Sequence, residues 1–464
     1  MSTDTVSSAL FVLKELWEFI EIMPDTVPIS SRSELIARIT TKSAVIGVYG
    51  LGYTGLPLAL RFSESGYRVI GFDVNSEKVA LLNRGESYIK LIHPDQIKAA
   101  KSGGFTVTCD YEKTNDVDVI ILCLPTPLTA DNEPDLSYVL CALDSLKPHL
   151  RISQLLSLES TTFPGTTDEI VKNYLVGLGM DIGENFFLCY SPEREDPGNQ
   201  SYSTHSIPKI CSGTTAACLE VATELYKSAI EQVIPVSSTQ TAEMVKLIEN
   251  VQRAVNVALI NEIKMLSDKI GVDIYEAVEA AATKPFGFTP YFPGPGIGGH
   301  CIPIDPLYLS WKSRQLDIPM RLIDAAHEIN SEMPKWVVDK LISALLTEGK
   351  LLCDADVLIL GVSYKKNIDD VRESPALEII STLLELGANV SFSDPFNESI
   401  KVQNPRACTL VSQDVCSEYV RKQDAIVLVT DHDDFDYDLL IEHSSLIIDS
   451  RGKLSRHHNN VVRA

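Results

Sequence analysis

Val48-Tyr49-Gly50-Leu51-Gly52-Tyr53-Thr54-Gly55 decides the fold. The stretch follows a short apolar run, Ala44–Tyr49, and precedes a segment that reads as a helix from about Leu56. A GxGxxG turn in that context has a mechanical reading. Gly50 permits the tight turn, Gly52 lets a pyrophosphate approach the backbone, and Gly55 lets helix and strand pack closely. The helix N-terminus then offers free N–H groups and the positive end of its dipole to phosphate. Such a turn alone is weak evidence. Here the next apolar run, Arg68–Phe72, ends at Asp73, where an acid can accept bonds from ribose hydroxyls. No arginine stands beside Asp73 to neutralise a 2′-phosphate, so the pattern favours NAD over NADP.

Outward from this turn, Val117–Cys123 and Leu155–Leu158 are short runs rich in Val, Ile and Leu, with helical stretches between them. That alternation is the mark of a doubly wound domain with a buried parallel sheet. Thr239–Ile270 reads as one helix, apolar at Met244, Leu247, Ile248, Val251, Val255, Leu259, Ile263 and Leu266. Its length of about 45 Å suits a spine between two domains and a dimer contact. A Gly/Pro-rich loop follows from Pro285 to Pro306, then a helical segment containing Arg321 to Asn330. Strands recur near Val357–Gly361, Val390–Ser393, Ala425–Val429 and Leu446–Asp449. The expected fold class is α/β, with two Rossmann-like doubly wound domains joined by a long central helix and a helical middle region. The divisions fall at 1–43 (an N-terminal helical extension), 44–236, 237–335 and 336–464. Within the extension the expectation is an amphipathic helix, a break near Pro24 and Pro28, and a short helix ending before Lys42.

Composition narrows the function classes. With 464 residues, 45% hydrophobic and 22% charged, the chain suits a soluble protein of two or three domains. No run reaches the roughly 20 uncharged apolar residues of a membrane span. The nearest candidate, Ala9 to Met23, is broken by Lys14, Glu15, Glu18 and Glu21 and lacks the basic start of a signal peptide. A net charge of −23 argues against a nucleic-acid partner. It also requires any anion site to be made locally, from a few placed cations and backbone N–H groups. The ten cysteines show no CxxC pair and no metal-ligand spacing, so neither metal nor disulfide framework is expected. A reducing, cytoplasmic compartment follows.

One cysteine stands apart. In Gly294-Pro295-Gly296-Ile297-Gly298-Gly299-His300-Cys301-Ile302-Pro303-Ile304-Asp305-Pro306, glycines ahead of the thiol expose backbone for close approach of a ligand. Asp305 lies four residues beyond it. A reactive thiol needs such a setting, with a cation or helix N-terminus to favour thiolate.

With these residues in view, the chain resembles the UDP-glucose/UDP-N-acetylglucosamine 6-dehydrogenases, the nucleotide-sugar dehydrogenase family. The resemblance runs from about Ala44 to Lys453. It is carried by the GxGxxG turn, Cys123-Leu-Pro-Thr-Pro127, Glu159-Ser-Thr-Thr-Phe-Pro-Gly165, Ser191-Pro-Glu193, Ala242-Glu-Met-Val-Lys246-Leu-Ile-Glu-Asn250, the Cys301 loop and Gly361-Val-Ser-Tyr-Lys365. It implies an NAD-dependent four-electron oxidation of a UDP-sugar C6 alcohol to the carboxylate, releasing two NADH.

The resemblance also implies roles. Cys301 matches the nucleophile, and Lys246 with Asn250 matches the pair that stabilises an oxyanion. These two are four apart and so share one helix face. Asp305 matches an acid that handles protons with a water. Glu193 matches a glutamate of thioester hydrolysis, and Thr162 a threonine that positions the water. The cofactor set becomes Gly50, Leu51, Gly52, Tyr53, Gly55, Asp73, Pro125, Thr126, Glu159 and Thr162. The substrate set becomes Glu193, Arg194, Lys246, Asn250, Arg253, Gly298, Lys365 and Arg451, with UDP held by the last domain. His300 ahead of the thiol resembles the UDP-N-acetylglucosamine branch; UDP-glucose, UDP-GalNAc and UDP-ManNAc are the alternatives. A homodimer or higher homo-oligomer is expected. Two readings from other classes stand beside this one: a two-electron dehydrogenase of the hydroxyacid type, and a silent NAD- and UDP-sugar-binding protein.

Overall fold

Six parallel strands form the first sheet: β1 (Val45–Tyr49), β2 (Arg68–Phe72), β3 (Thr106–Thr108), β4 (Val119–Leu122), β5 (Gln154–Leu158) and β6 (Phe186–Tyr190). The computed structural model describes residues 30–196, 198, 201–403, 407–455 and 457–464. The amphipathic helix expected around Ala9–Met23 lies outside the described residues. Strand order is β3-β2-β1-β4-β5-β6, so the winding reverses between β1 and β4. In a doubly wound sheet the crevice at that reversal, beyond the carboxyl ends of the strands, takes the ligand. Strands β1, β4, β5 and β6 are buried at every residue, which is why their sequences run apolar without alternation.

A short parallel pair follows, β7 (Lys209–Cys211) with β8 (Val233–Pro235). The spine helix then runs Thr239–Ile270. Ser238 caps its start by accepting from the Thr241 N–H, and Gly271, at φ 74°, ends it in the left-handed region. The face it buries is not the one its apolar stripe suggests. Ile248, Leu259, Ile263 and Leu266 are exposed on this protomer, while Glu243, Lys246, Asn250, Asn261 and Lys264 point inward. The helix therefore carries polar groups into the molecule.

A second long helix, Arg321–Thr347, packs beside the spine and leads into the second sheet. It comprises β9 (Asp356–Leu360), β10 (Asn389–Ser393), a side hairpin of β11 (Ser399–Val402) with β12 (Cys408–Val411), then β13 (Ala425–Leu428), β14 (Ile447–Asp449) and β15 (Val461–Arg463). The five parallel strands lie in the order β10-β9-β13-β14-β15.

The turn after the first strand is built the same way in both sheets. Gly50, at φ 88°, follows β1, and Gly361, at φ 77°, follows β9. Each donates its N–H to the last residue of the neighbouring strand, Phe72 at 2.8 Å and Ser393 at 2.9 Å. Each is then followed by an amide given to an acid, Leu51 to Asp73 at 3.0 Å and Val362 to Asp394 at 2.7 Å. The difference lies in what else the acid meets. Asp394 is also engaged by the buried His432 at 3.0 Å and by the Phe396 and Asn397 amides. Asp73 takes only the Asn75 amide on its other oxygen, and it faces an open cavity.

The short helix of the extension, Ser31–Thr40, is part of the first domain's core. Leu35 and Ile39 are buried in the same cluster as Ile46, Phe62 and Tyr226. Arg38 reaches the buried Asp118 at 2.6 Å, which Arg151 also engages and which accepts the Val45 amide.

Candidate active site

The cavity above the β1/β4 reversal has a volume of about 450 Å³ and is lined by Gly50, Gly52, Tyr53, Asp73, Pro125, Thr126 and Glu159. A dinucleotide fits this wall. A Cβ on Gly50 would sit 2.4 Å from the Cys123 carbonyl oxygen, and one on Gly55 would sit 1.9 Å from that of Gly50. Gly52 meets nothing within 4 Å, so its face is free for pyrophosphate. The helix Gly55–Glu64 begins there and offers its N-terminus. Asp73 keeps free lone pairs toward the cavity for a ribose diol. Leu51 contributes its amide to Asp73 and its side chain to the core. Glu159 is bound underneath by Lys209 and by the Tyr226 hydroxyl at 2.5 Å.

Two further groups line the cavity from the opposite side, His300 and Arg372. Arg372 is aligned by Asp370 (2.6–3.0 Å) and lies over the Tyr53 ring, 5.4 Å from its centroid. The Tyr53 hydroxyl donates to Asp369 at 2.8 Å, tying the glycine-rich turn to the last domain. Nothing in the sequence of Asp369-Asp370-Val371-Arg372 marks its turn toward the cofactor wall.

Beside this wall the spine helix delivers its polar face. Lys246 Nζ donates to the Glu193 carboxylate at 2.9 Å and to its carbonyl oxygen at 2.7 Å. Burial opposes charge on both partners. Their mutual attraction nevertheless raises the Lys246 pKa and holds Glu193 below the usual carboxylate range. Asn250 Nδ2 donates to Asp305 Oδ2 at 2.5 Å. Burial pushes Asp305 up to about 7 against the pull of Lys246 and Asn250. Its other oxygen, Oδ1, has no partner among the described residues.

Cys301 sits at the turn into the helix Asp305–Arg314, and its carbonyl accepts the Asp305 amide at 2.8 Å. Its Sγ lies 3.7 Å from His300 Nδ1. Burial pushes the thiol up to about 12, with Lys246 working against that rise. His300 is driven down to about 4, by burial and the nearby Arg372. At neutral pH the pair is therefore thiol and neutral imidazole, and the thiol must lose its proton as it attacks.

Thr162 lies beneath, fully buried, 3.4 Å from Glu243. Glu243 accepts from the Gly165 and Thr167 amides at 2.6 and 2.9 Å and from the Thr167 hydroxyl at 2.7 Å. It pins the Thr162–Thr167 turn to the spine helix one turn ahead of Lys246. The sequence reading quoted Glu243 within a motif and gave it no role.

The UDP-glucose/GDP-mannose dehydrogenase family matches in three parts: its NAD binding domain at residues 44–230, its central domain at 240–332 and its UDP binding domain at 358–456. The chain belongs to this family. NAD is its cofactor and a UDP-sugar its substrate class. A UDP-N-acetyl-D-glucosamine 6-dehydrogenase of Salmonella typhi is 33% identical over 392 residues, covering 84% of this chain and 90% of the relative. A UDP-N-acetyl-D-mannosamine dehydrogenase of Methanococcus aeolicus is 35% identical over 399 residues, covering 84% and 85%. The solved structure of a UDP-D-ManNAc dehydrogenase from Pyrococcus horikoshii superposes with a TM-score of 0.81 at 33% identity, covering 90% of this chain and 98% of that one.

Other residues expected at the substrate have their own partners or settings in the dehydrogenase. Arg194, expected at the substrate, turns to Glu249 at 2.6 and 3.2 Å and to the Pro208 carbonyl at 2.7 Å. Its neighbour on the helix is anionic, so the ion pair wins. Arg253 is exposed on the spine helix. Gly298 serves packing, since a Cβ there would come within 2.5 Å of Tyr364. Lys365 bonds Asp196 at 2.6 Å. Arg451 is half-buried beside Gly294, donates to the Val429 carbonyl at 2.6 Å, and lines a separate cavity with Tyr275 and Phe292. Among the described residues, no helix is long and apolar enough to cross a membrane.

Proposed function

We propose that the dehydrogenase oxidises the C6 primary alcohol of UDP-N-acetylglucosamine to the carboxylate in two hydride transfers, through a thiohemiacetal and then a thioester on Cys301. The observation that carries this reading is that Lys246, Asp305 and Glu193 lie within electrostatic reach of one thiol, with Asn250 bonded to Asp305, next to a cofactor cavity that His300 and Glu193 line. A two-electron hydroxyacid dehydrogenase has no use for that thiol, and a silent binder has no use for the nest around it.

NAD⁺ supplies the hydride acceptor for each oxidation. The residues do the rest. Lys246 and Asn250 face the oxygen on which negative charge develops, a contribution of about 2.7–4 kcal/mol for one such donor. Cys301 loses its proton as its sulfur bonds to the aldehyde carbon, so the second hydride leaves from a carbon held in place. Asp305, titrating near neutrality, takes a proton from the water that opens the thioester. Glu193 stays ionised beside Lys246 and supports that step.

His300 ahead of the thiol and the Salmonella typhi relative support the N-acetylglucosamine substrate. The Methanococcus aeolicus and Pyrococcus horikoshii relatives support UDP-N-acetylmannosamine as the second reading. UDP-glucose and UDP-GalNAc complete the set. The exposed stripe of the spine helix supports a homodimer, and the composition a cytoplasmic enzyme. The test is kcat/KM on the four UDP-sugars with wild type and Cys301→Ser. UDP-N-acetylglucosamine is expected to lead, and the variant to lose carboxylate formation. A different leading sugar would correct the substrate; full carboxylate formation by the variant would remove the thioester.

A further inference from the structure

Tyr190 ends β6 three residues before Glu193 and packs its ring in the core beside Ala242 of the spine helix. The side chain is fully buried, yet its hydroxyl has no hydrogen-bond partner among the described residues. A buried polar atom without a partner is costly, and native proteins keep few of them. This hydroxyl lies near Thr162 and within electrostatic reach of Glu243, Lys246 and Asp305. Asp305 Oδ1, buried in the same nest, shares its condition. Two unsatisfied buried atoms from different elements, one a donor and one an acceptor, thus lie within electrostatic reach of each other.

We propose that the Tyr190 hydroxyl binds, together with Thr162 Oγ1 and Asp305 Oδ1, the water that hydrolyses the Cys301 thioester, which makes Tyr190 a catalytic residue of that step. The inference rests on the thioester reading above. Bonding capacities fit. Thr162 directs its one proton toward Glu243, leaving its oxygen to accept. The phenol stays protonated, because burial and the nearby Glu243 raise its pKa, and so it donates. A water accepting from Tyr190 and donating to Thr162 and Asp305 keeps one lone pair for the acyl carbon. As that carbon–oxygen bond forms, Asp305 takes a proton. The carbon–sulfur bond then breaks and its electron pair returns to Cys301, which regains a proton. The thioester and one water become a carboxylate, the thiol and one released proton.

Tyr190→Phe removes the hydroxyl and keeps the ring. With NAD⁺ and whichever of the four UDP-sugars the wild type turns over fastest, both NADH of the first turnover should appear at the wild-type rate. Steady-state turnover should then fall about tenfold, one hydrogen bond's worth, with KM falling in step and kcat/KM unchanged. Acid quench should find the acyl adduct on the Cys301 peptide. Hydroxylamine, a nucleophile that needs no positioned water, should speed the variant more than the wild type. The thermal midpoint should stay near that of wild type, because the ring and its core packing are kept. Wild-type turnover, a loss that falls on the hydride steps or on kcat/KM, or a variant that melts earlier or fails to fold would overturn the assignment. Tyr190→Met must give the same division of rates. Glu193→Gln separates this inference from the reading beneath it. If neither it nor the wild type yields a Cys301 adduct, the thioester itself fails; if they do and Tyr190→Phe is unimpaired, only Tyr190 fails.

Discussion

Asp305 shows how a single residue is tuned. It has no exposure to solvent, one neutral donor in Asn250, and Lys246 as its nearby cation, whose charge Glu193 already claims. Desolvation outweighs the attraction, and its pKa rises to about 7. A raised carboxylate binds its proton more tightly folded than unfolded. Its contribution to stability is therefore greatest in acid and declines as pH rises through that value. Catalysis runs the other way, since only the carboxylate accepts a proton from water. The turnover number should climb as pH passes about 7 and level off above it. Asp305→Asn should lose that limb and about 10²–10⁴ of the rate, measured as kcat against pH at saturating substrates. An unchanged limb in the variant would assign it elsewhere.

Among elements, the spine helix was legible in its ends and misleading in its face. Its bounds follow from Ser238, the long helical run and Gly271, all visible in the chain. The apolar stripe at helical spacing suited a spine and a dimer contact but did not name the inward face, and Leu259, Ile263 and Leu266 are exposed in this chain. Periodicity finds an amphipathic helix but assumes that the apolar side is the buried one. Here Glu243, Lys246 and Asn250 are buried because they meet specific partners, and no spacing rule names those partners. Strand β6 was missed since five buried residues without alternation resemble any core segment. Strand β15 has three residues, too few for a pattern. The short helix Ser31–Thr40 also belongs at this scale. Leu35 and Ile39 together bury side chains worth about 3–6 kcal/mol, and Arg38 is one of two guanidinium groups on the buried Asp118. A chain starting at Ala44 should therefore melt several degrees lower, whereas one starting at Ser30 should keep this packing. Scanning calorimetry on the two truncations checks this, and equal midpoints would contradict it.

For the whole molecule, the two-sheet plan could be read from the chain because both glycine turns follow buried strands. What could not be read is that one turn is open and the other closed. His432 lies far along the chain from Gly361, and only folding brings it onto Asp394, where it fills the edge that Asp73 leaves free. The molecule thus keeps one dinucleotide wall and sets it against Arg372 and Tyr53–Asp369 from the other half. His300, next to the thiol, lines the cofactor cavity, and in the proposed mechanism one sugar is oxidised twice there without leaving. That is the central claim, and counting NADH per UDP-N-acetylglucosamine consumed tests it most directly. Two NADH, with the UDP-uronic acid as product, is the predicted result; one NADH per sugar, with an aldehyde accumulating, would contradict it.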